Sequence, residues 1–198
     1  MALIPADRVR TEIIVSRSRF IATAGPADSV AAARAFIAEI RAEMPDANHH
    51  VYAYVIGHGG TTTLGQSDDG EPSGTSGRPA LAVVRGSGLG DVVVVITRYF
   101  GGTKLGTGGL VKAYGDAARA VLDILPRTEK VARQELTVTL PYSSYEAVRR
   151  LVAACAGSVE GEGFAGDVTL RVLLPTPRVE EFTRALTDLT AGQARLLG

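Results

Sequence analysis

The sequence predicts an α+β protein of two domains, residues 1–128 and 131–198. Three observations carry this reading. The β-branched run Val92 to Ile96 is too short for a helix and has no polar alternation, so it reads as a strand buried on both faces. Of the 23 glycines, 16 fall between Gly57 and Gly115, and glycine thins after Pro126, which marks a change of domain. From Val131 onward the regular segments follow one another as strand, helix, strand, strand, helix, strand.

The elements follow in order. Glu12 to Val15 and Phe20 to Thr23 read as two short strands with Arg17 and Arg19 near their ends, where such cations are solvated or reach an anion. Asp28 is placed to cap a helix whose apolar positions Val30, Ala33, Phe36, Ile37, Ile40 and Met44 share one face, ending before Pro45. His49 and His50 lead into the strand Val51 to Ile56. Adjacent residues of an extended segment point to opposite faces, so the pair does not make one metal site. One of them can serve as ligand, proton carrier or phosphate donor, or as a hydrogen-bonded structural histidine.

Thr61 to Pro79 reads as a long polar loop, and a loop of that length is functional or disordered more often than idle. Its carboxylates Asp68, Asp69 and Glu71 can place oxygens around a hard cation such as Mg²⁺, while Ser73, Thr75 and Arg78 can hold an oxyanion. The same Asp-Asp-Gly-Glu residues also suit plain turns. Pro79 to Arg85 reads as a short helix opened by proline and closed by Gly86.

Chemistry concentrates where the valine strand stops. Arg98, Tyr99 and Phe100 stand at its carboxyl end, Gly101 and Gly102 turn the chain, and Lys104 precedes Gly106, Thr107, Gly108 and Gly109. Apolar residues then recur at helical spacing from Leu110 to Leu125, stopped by Pro126. Such a loop lets backbone N–H groups approach a ligand, the helix start offers unpaired N–H groups and a positive dipole end, and Arg98 and Lys104 add charge. A phosphate fits that description. So does a bare turn with Thr107 capping the helix and both cations solvated. Neither the dinucleotide fingerprint nor the Walker spacing is met.

In the second domain, Val131 to Leu140 is a strand and Ser143 or Ser144 caps a helix to about Ala156. Val159 to Phe164 and Val168 to Leu174 form a hairpin, a helix runs from Thr176 to about Leu189, and Ala194 to Leu197 closes the domain. This order is the ferredoxin-like split pattern. From Val131 the chain carries seven Arg against eight Asp or Glu, and the whole chain has a formal net charge of zero. No global basic field advertises nucleic acid, so any such contact is site-local. The lone cysteine, Cys155, sits in an apolar stretch and reads as a core thiol. The amino-terminal residues lack a signal-peptide pattern and no stretch is apolar enough to span a membrane, which predicts a cytoplasmic protein without membrane partners.

Ser18 to Ala22, His49 to Tyr54, Asp68 to Pro79 and Val94 to Gly115 together resemble the IMPACT family, in its bacterial branch. The resemblance implies an N-terminal α/β sandwich like the second domain of a ribosomal small-subunit protein, a sheet with helices on one side. It also implies a ferredoxin-like C-terminal domain similar to one in an elongation factor, hence contact with RNA or ribosomes. Eukaryotic members regulate translation through an additional domain that does not match here. On this resemblance His49, Asp68, Asp69, Glu71, Ser73, Thr75, Arg98, Lys104 and Thr107 line one cleft, with Tyr99 beside them.

Two functions follow as expectations. One is a translation-linked binding or regulatory protein that holds a phosphate of RNA, ribosome or a nucleotide at Arg98, Lys104, Thr107 and Gly108, with Arg78, Ser73 and Thr75 nearby. The other is an enzyme on a phosphorylated small molecule, with Asp68, Asp69 or Glu71 on Mg²⁺ and His49 as acid or base. A purely structural module anchored by Tyr99 and Phe100 leaves the charged loop without a role.

Overall fold

A strand buried on both faces needs a layer on each side, and the computed structural model, which describes residues 2–197, provides both. The first unit runs β1 (Leu3–Pro5), β2 (Val9–Val15), β3 (Ser18–Pro26), α1 (Val30–Glu43), β4 (His49–Ile56), β5 (Thr63–Ser67), α2 (Gly77–Gly86), β6 (Val92–Tyr99), α3 (Gly106–Ile124) and β7 (Arg127–Glu129). Five of these strands form one antiparallel sheet in the order β2-β3-β6-β4-β5. β6 lies at its centre, and Val92 through Ile96 are fully buried. Each such side chain stabilises the fold by about 1.5–3 kcal/mol.

Alternation along the strand sorts the two faces. Val92, Val94 and Ile96 join Phe20, Ala22, Val51 and Ala53 beneath α2 and α3, with Ala80, Val84, Leu110, Tyr114 and Val121 as the helical side of that core. Val93 and Val95 join Ile21 and Ile56 on the opposite face, where α1 contributes Ala33, Ile37 and Ile40. The expectation of helices on one side alone is therefore corrected. Five consecutive β-branched residues leave no face for water, so both must be covered.

Local differences from the sequence reading have local causes. Ser29, not Asp28, caps α1, its hydroxyl accepting from the Ala32 N–H at 3.1 Å. The long loop is shorter than expected, because Thr63–Ser67 pairs with β4 as an edge strand. α2 starts at Gly77, ahead of Pro79, which is tolerated within the first turn because no N–H is needed there. β1 and β7 pair with each other, three residues each, a contact with too little pattern to read from sequence.

The second unit, from Val131, runs β8 (Arg133–Leu140), α4 (Tyr145–Ala154), β9 (Ser158–Phe164), β10 (Val168–Pro175), α5 (Val179–Leu189) and β11 (Arg195–Leu197). Its sheet has the order β11-β8-β10-β9, the ferredoxin-like arrangement. Val148, Val152, Phe182 and Leu186 of the two helices pack on Val138, Leu140, Leu170 and Val172 in a core of its own. Cys155 is free and buried in that core, and burial pushes its thiol pKa up. No helix among the described residues is long and apolar enough to cross a membrane.

Candidate functional site

Register decides which charged side chains meet. β6 places Arg98 opposite Phe20 of β3 and His49 of β4, so all three lie on the face covered by α2 and α3. Tyr99 and His50 take the other face by the same alternation. Tyr99 donates its hydroxyl to Asp46 at 2.9 Å and stacks under Arg19, away from the cleft. His50 is buried against Thr97 at 3.1 Å, and burial lowers its pKa.

Arg98, expected as a phosphate-binding cation or else a solvated one, is buried and already ion-paired. It is only 5% exposed, and its Nη1 donates to Glu71 Oε1 at 2.6 Å. Nη2 donates to the Ser18 hydroxyl at 3.3 Å, and Nε has no hydrogen-bond partner among the described residues. Glu71 is equally sheltered at 8% exposure, and the same Oε1 accepts from the Tyr114 hydroxyl at 2.7 Å. Burial and this bond push the Tyr114 pKa far up, so the phenol stays protonated as a donor. His49 Nε2 stands 3.9 Å from that oxygen, while Nδ1 meets the Asp69 carbonyl at 2.8 Å.

The turn after β6 is fixed by close approach. A Cβ on Gly101 would lie 2.0 Å from the Arg17 backbone, so only glycine fits. Arg17 and Ser16 form the two-residue turn between β2 and β3 with φ of 69° and 46°. Gly101 N–H and Arg98 both donate to Ser18 Oγ, which ties this hairpin to the glycine loop. Phe100 is held by its N–H on Asn48 Oδ1 at 2.7 Å, and the Arg98 guanidinium sits 5.5 Å from its ring centre.

Beyond the loop, α3 begins without a cap. Leu105 occupies the N-cap position, no side chain caps the first turn, and no acid lies in it. Thr107 is the helix's second residue rather than its cap. Here a cleft of about 390 Å³ opens, lined by Glu71, Pro72, Arg98, Phe100, Lys104, Leu105, Gly106, Thr107 and Leu110. Lys104 is exposed, and no carboxylate pairs with it among the described residues. Thus Arg98, Lys104, Thr107 and Glu71 do share one cleft, with His49 behind Glu71.

The remaining candidates go elsewhere. Asp68 accepts from the N–H groups of Gly74, Ser76 and Gly77 and from the Ser76 hydroxyl. Burial opposes its charge, but those donors outweigh burial and lower its pKa. Asp69 pairs with Arg41 and accepts from the His50 N–H at 2.6 Å. Among the described residues no three His, Cys, Asp or Glu side chains are grouped to hold a metal ion. Asp68, Asp69 and Glu71, the residues expected around Mg²⁺, each turn to a different partner: loop N–H groups, Arg41 and Arg98. Thr75 is buried and donates to the Pro72 carbonyl, whereas Ser73, Arg78 and Gly108 are exposed and outside the cleft lining. Ser18 and Tyr114 are the hydrogen-bonding neighbours of the Arg98–Glu71 pair that the sequence did not single out. The signal for Tyr114 was a hydroxyl in an apolar helix stripe, which must find a partner when buried.

Comparison with known proteins agrees with this architecture. The Impact N-terminal domain family matches residues 16–122, and a domain of unknown function (DUF1949) matches residues 138–193. The IMPACT family member YigZ of Escherichia coli is 42% identical over 98% of this chain and 96% of its own length. An IMPACT family member of Haemophilus influenzae is 36% identical over 96% of this chain and 93% of its own. The crystal structure of a hypothetical protein, 42% identical, superposes with a TM-score of 0.84 over 100% of this chain and 96% of that one. With two adjoining domain matches and relatives aligned nearly end to end, the chain belongs to the IMPACT family.

Proposed function

We propose that this chain is a translation-linked binding protein that takes a phosphate group of RNA or a nucleotide in the cleft at the start of α3. The observation that carries this is the meeting of an uncapped helix start with the unpaired Lys104 at one concave opening. The family resemblance supplies the link to translation. Arg98 contributes less than its charge suggests, because Glu71 neutralises it. The enzyme reading needs carboxylates free for a cation, and Asp68 and Asp69 are engaged with loop N–H groups and Arg41.

Co-sedimentation with ribosomes and with a labelled RNA, at low and high salt, tests the proposal. Lys104→Ala removes the free cation. Thr107→Glu places a carboxylate at the helix start, which favours the helix but repels an anion. Wild type is expected to bind in a salt-sensitive way, with roughly tenfold weaker binding in either variant, the size of one charged contact. Binding unchanged in both variants, or absent from wild type at low salt, overturns the reading.

A further inference from the structure

The chemistry of the cleft says more about its occupant than that it carries a phosphate. Inorganic phosphate asks only for the helix start and Lys104, yet the cleft holds about 390 Å³, within the range of pockets that enclose a small organic molecule. Most of its remaining wall is apolar: Pro72, Phe100, Leu105 and Leu110. Phe100 is 48% exposed although both its backbone and its ring are held, by Asn48 and by the Arg98 guanidinium. A fixed, half-open aromatic ring beside a phosphate site is a surface on which a base stacks.

Two polar atoms are left over in the same place. Among the described residues, the polar contacts of the Glu71 carboxylate with Arg98, Tyr114 and His49 all fall on Oε1, and Oε2 receives no donor. Arg98 Nε, in a side chain that lines the cleft, lacks an acceptor among the described residues. Arg98 Nε is buried without a partner, which is costly, and Glu71 Oε2 is a charged acceptor without a donor, so an occupant offering one donor and one acceptor to this wall gains affinity. The Watson–Crick edge of a nucleobase or a ribose hydroxyl has that character.

Charge limits the number of phosphates. Glu71 cancels Arg98, leaving Lys104 and the helix dipole as the positive groups lining the cleft. That suits one phosphate rather than three. Resting on the phosphate reading above, we propose that the cleft is a site for a single nucleoside monophosphate unit. Its phosphate sits at Lys104 and the first turn of α3, its base lies against Phe100, and a donor on it meets Glu71 Oε2. The same chemistry is offered by a free nucleotide and by the 5′-phosphorylated end of an RNA.

Isothermal titration calorimetry of the full chain distinguishes these at low salt. The probes are inorganic phosphate, the four nucleosides, their 5′-monophosphates, ATP, and a pentaribonucleotide with a 5′-phosphate or a 5′-hydroxyl. At least one monophosphate is expected to bind tenfold or more tighter than phosphate and than its nucleoside, with ATP no tighter than AMP. Phe100→Ala brings the monophosphate down to the affinity of inorganic phosphate, while Lys104→Ala weakens both. If the 5′-phosphorylated oligomer matches the monophosphate and the 5′-hydroxyl oligomer does not, the source is an RNA end; if the free nucleotide alone binds, the source is the metabolite. Phosphate binding as tightly as every monophosphate, or Phe100→Ala without effect, overturns the inference while the anion site stands. Should no phosphate-bearing probe bind, the phosphate reading fails and takes this one with it.

Discussion

At the scale of single residues, the molecule invests in one buried ion pair. Arg98 and Glu71 are both nearly sequestered, and Tyr114 and Ser18 complete their hydrogen bonding on one side only. Removing one partner of such a pair strands the other, which costs about 3–5 kcal/mol. Arg98→Met is therefore expected to lower stability by that amount in urea unfolding, and the Arg98→Met, Glu71→Gln double variant to recover much of it. Simple additivity in that double-mutant cycle would show that the two side chains are not coupled. Asp68 is the second residue of this kind, since three N–H groups and a hydroxyl converge on its carboxylate. Asp68→Ala leaves those donors short of an acceptor, for an expected loss of about 1–3 kcal/mol. An unchanged urea midpoint would mean that water replaces the carboxylate without cost.

At the scale of elements, the glycine loop works as a spacer between β6 and α3. Gly101 lets the loop touch the Arg17 turn, and Gly102 and Gly106 take φ of 83° and 69°, where a side chain is strained. Gly101→Ala forces a Cβ into backbone, which shifts either the β2–β3 hairpin or the loop. Its expected cost is about 1–3 kcal/mol, as for other overpacked sites. Because the loop carries Lys104, phosphate affinity should fall with it. Gly108→Ala makes the comparison, as it meets nothing within 4 Å, and lies in a helix where alanine is favoured by about 1 kcal/mol. A thermal melt showing Gly101→Ala as stable as Gly108→Ala would contradict the close approach.

At the scale of the whole molecule, stability should fall on the acid side, through Asp68, Asp91 and His50. Asp68 and Asp91 have lowered pKa values in the fold. Burial opposes the charge at Asp91 as it does at Asp68, but Lys130 and the Gly57 N–H outweigh it. Each stabilises above the unfolded value near 3.9 and loses that contribution as pH falls through it and below. His50, lowered by burial, adds a loss that begins near its unfolded value of about 6.5, because the unfolded chain takes up a proton that the fold refuses. Urea unfolding between pH 7 and pH 3 should thus show a shallow decline, then a steeper one below about pH 4. Asp91→Asn should flatten the steep part; an identical profile in that variant would remove Asp91 from the account. How much of all this the sequence carried depends on the range of the interaction. Five consecutive β-branched residues determined a strand covered on both faces, the spacing from Leu110 to Leu125 determined α3, and the order of elements after Val131 determined the ferredoxin-like unit. Tyr99 was expected beside Arg98 in the cleft, yet period two, a local property of the backbone, sends it to the opposite face, where it meets Asp46 and Arg19. What sequence could not determine was the partner of each charge. Asp68, Asp69 and Glu71 are near neighbours in the chain yet turn to loop N–H groups, to Arg41 and to Arg98, because Asp69 and Gly70 reverse the backbone at φ of 45° and 87°. Tertiary structure made Arg98 a buried ion pair and left Lys104 to face the cleft: periodicity tells each side chain which face it takes, but only folding brings the distant segment that meets it there.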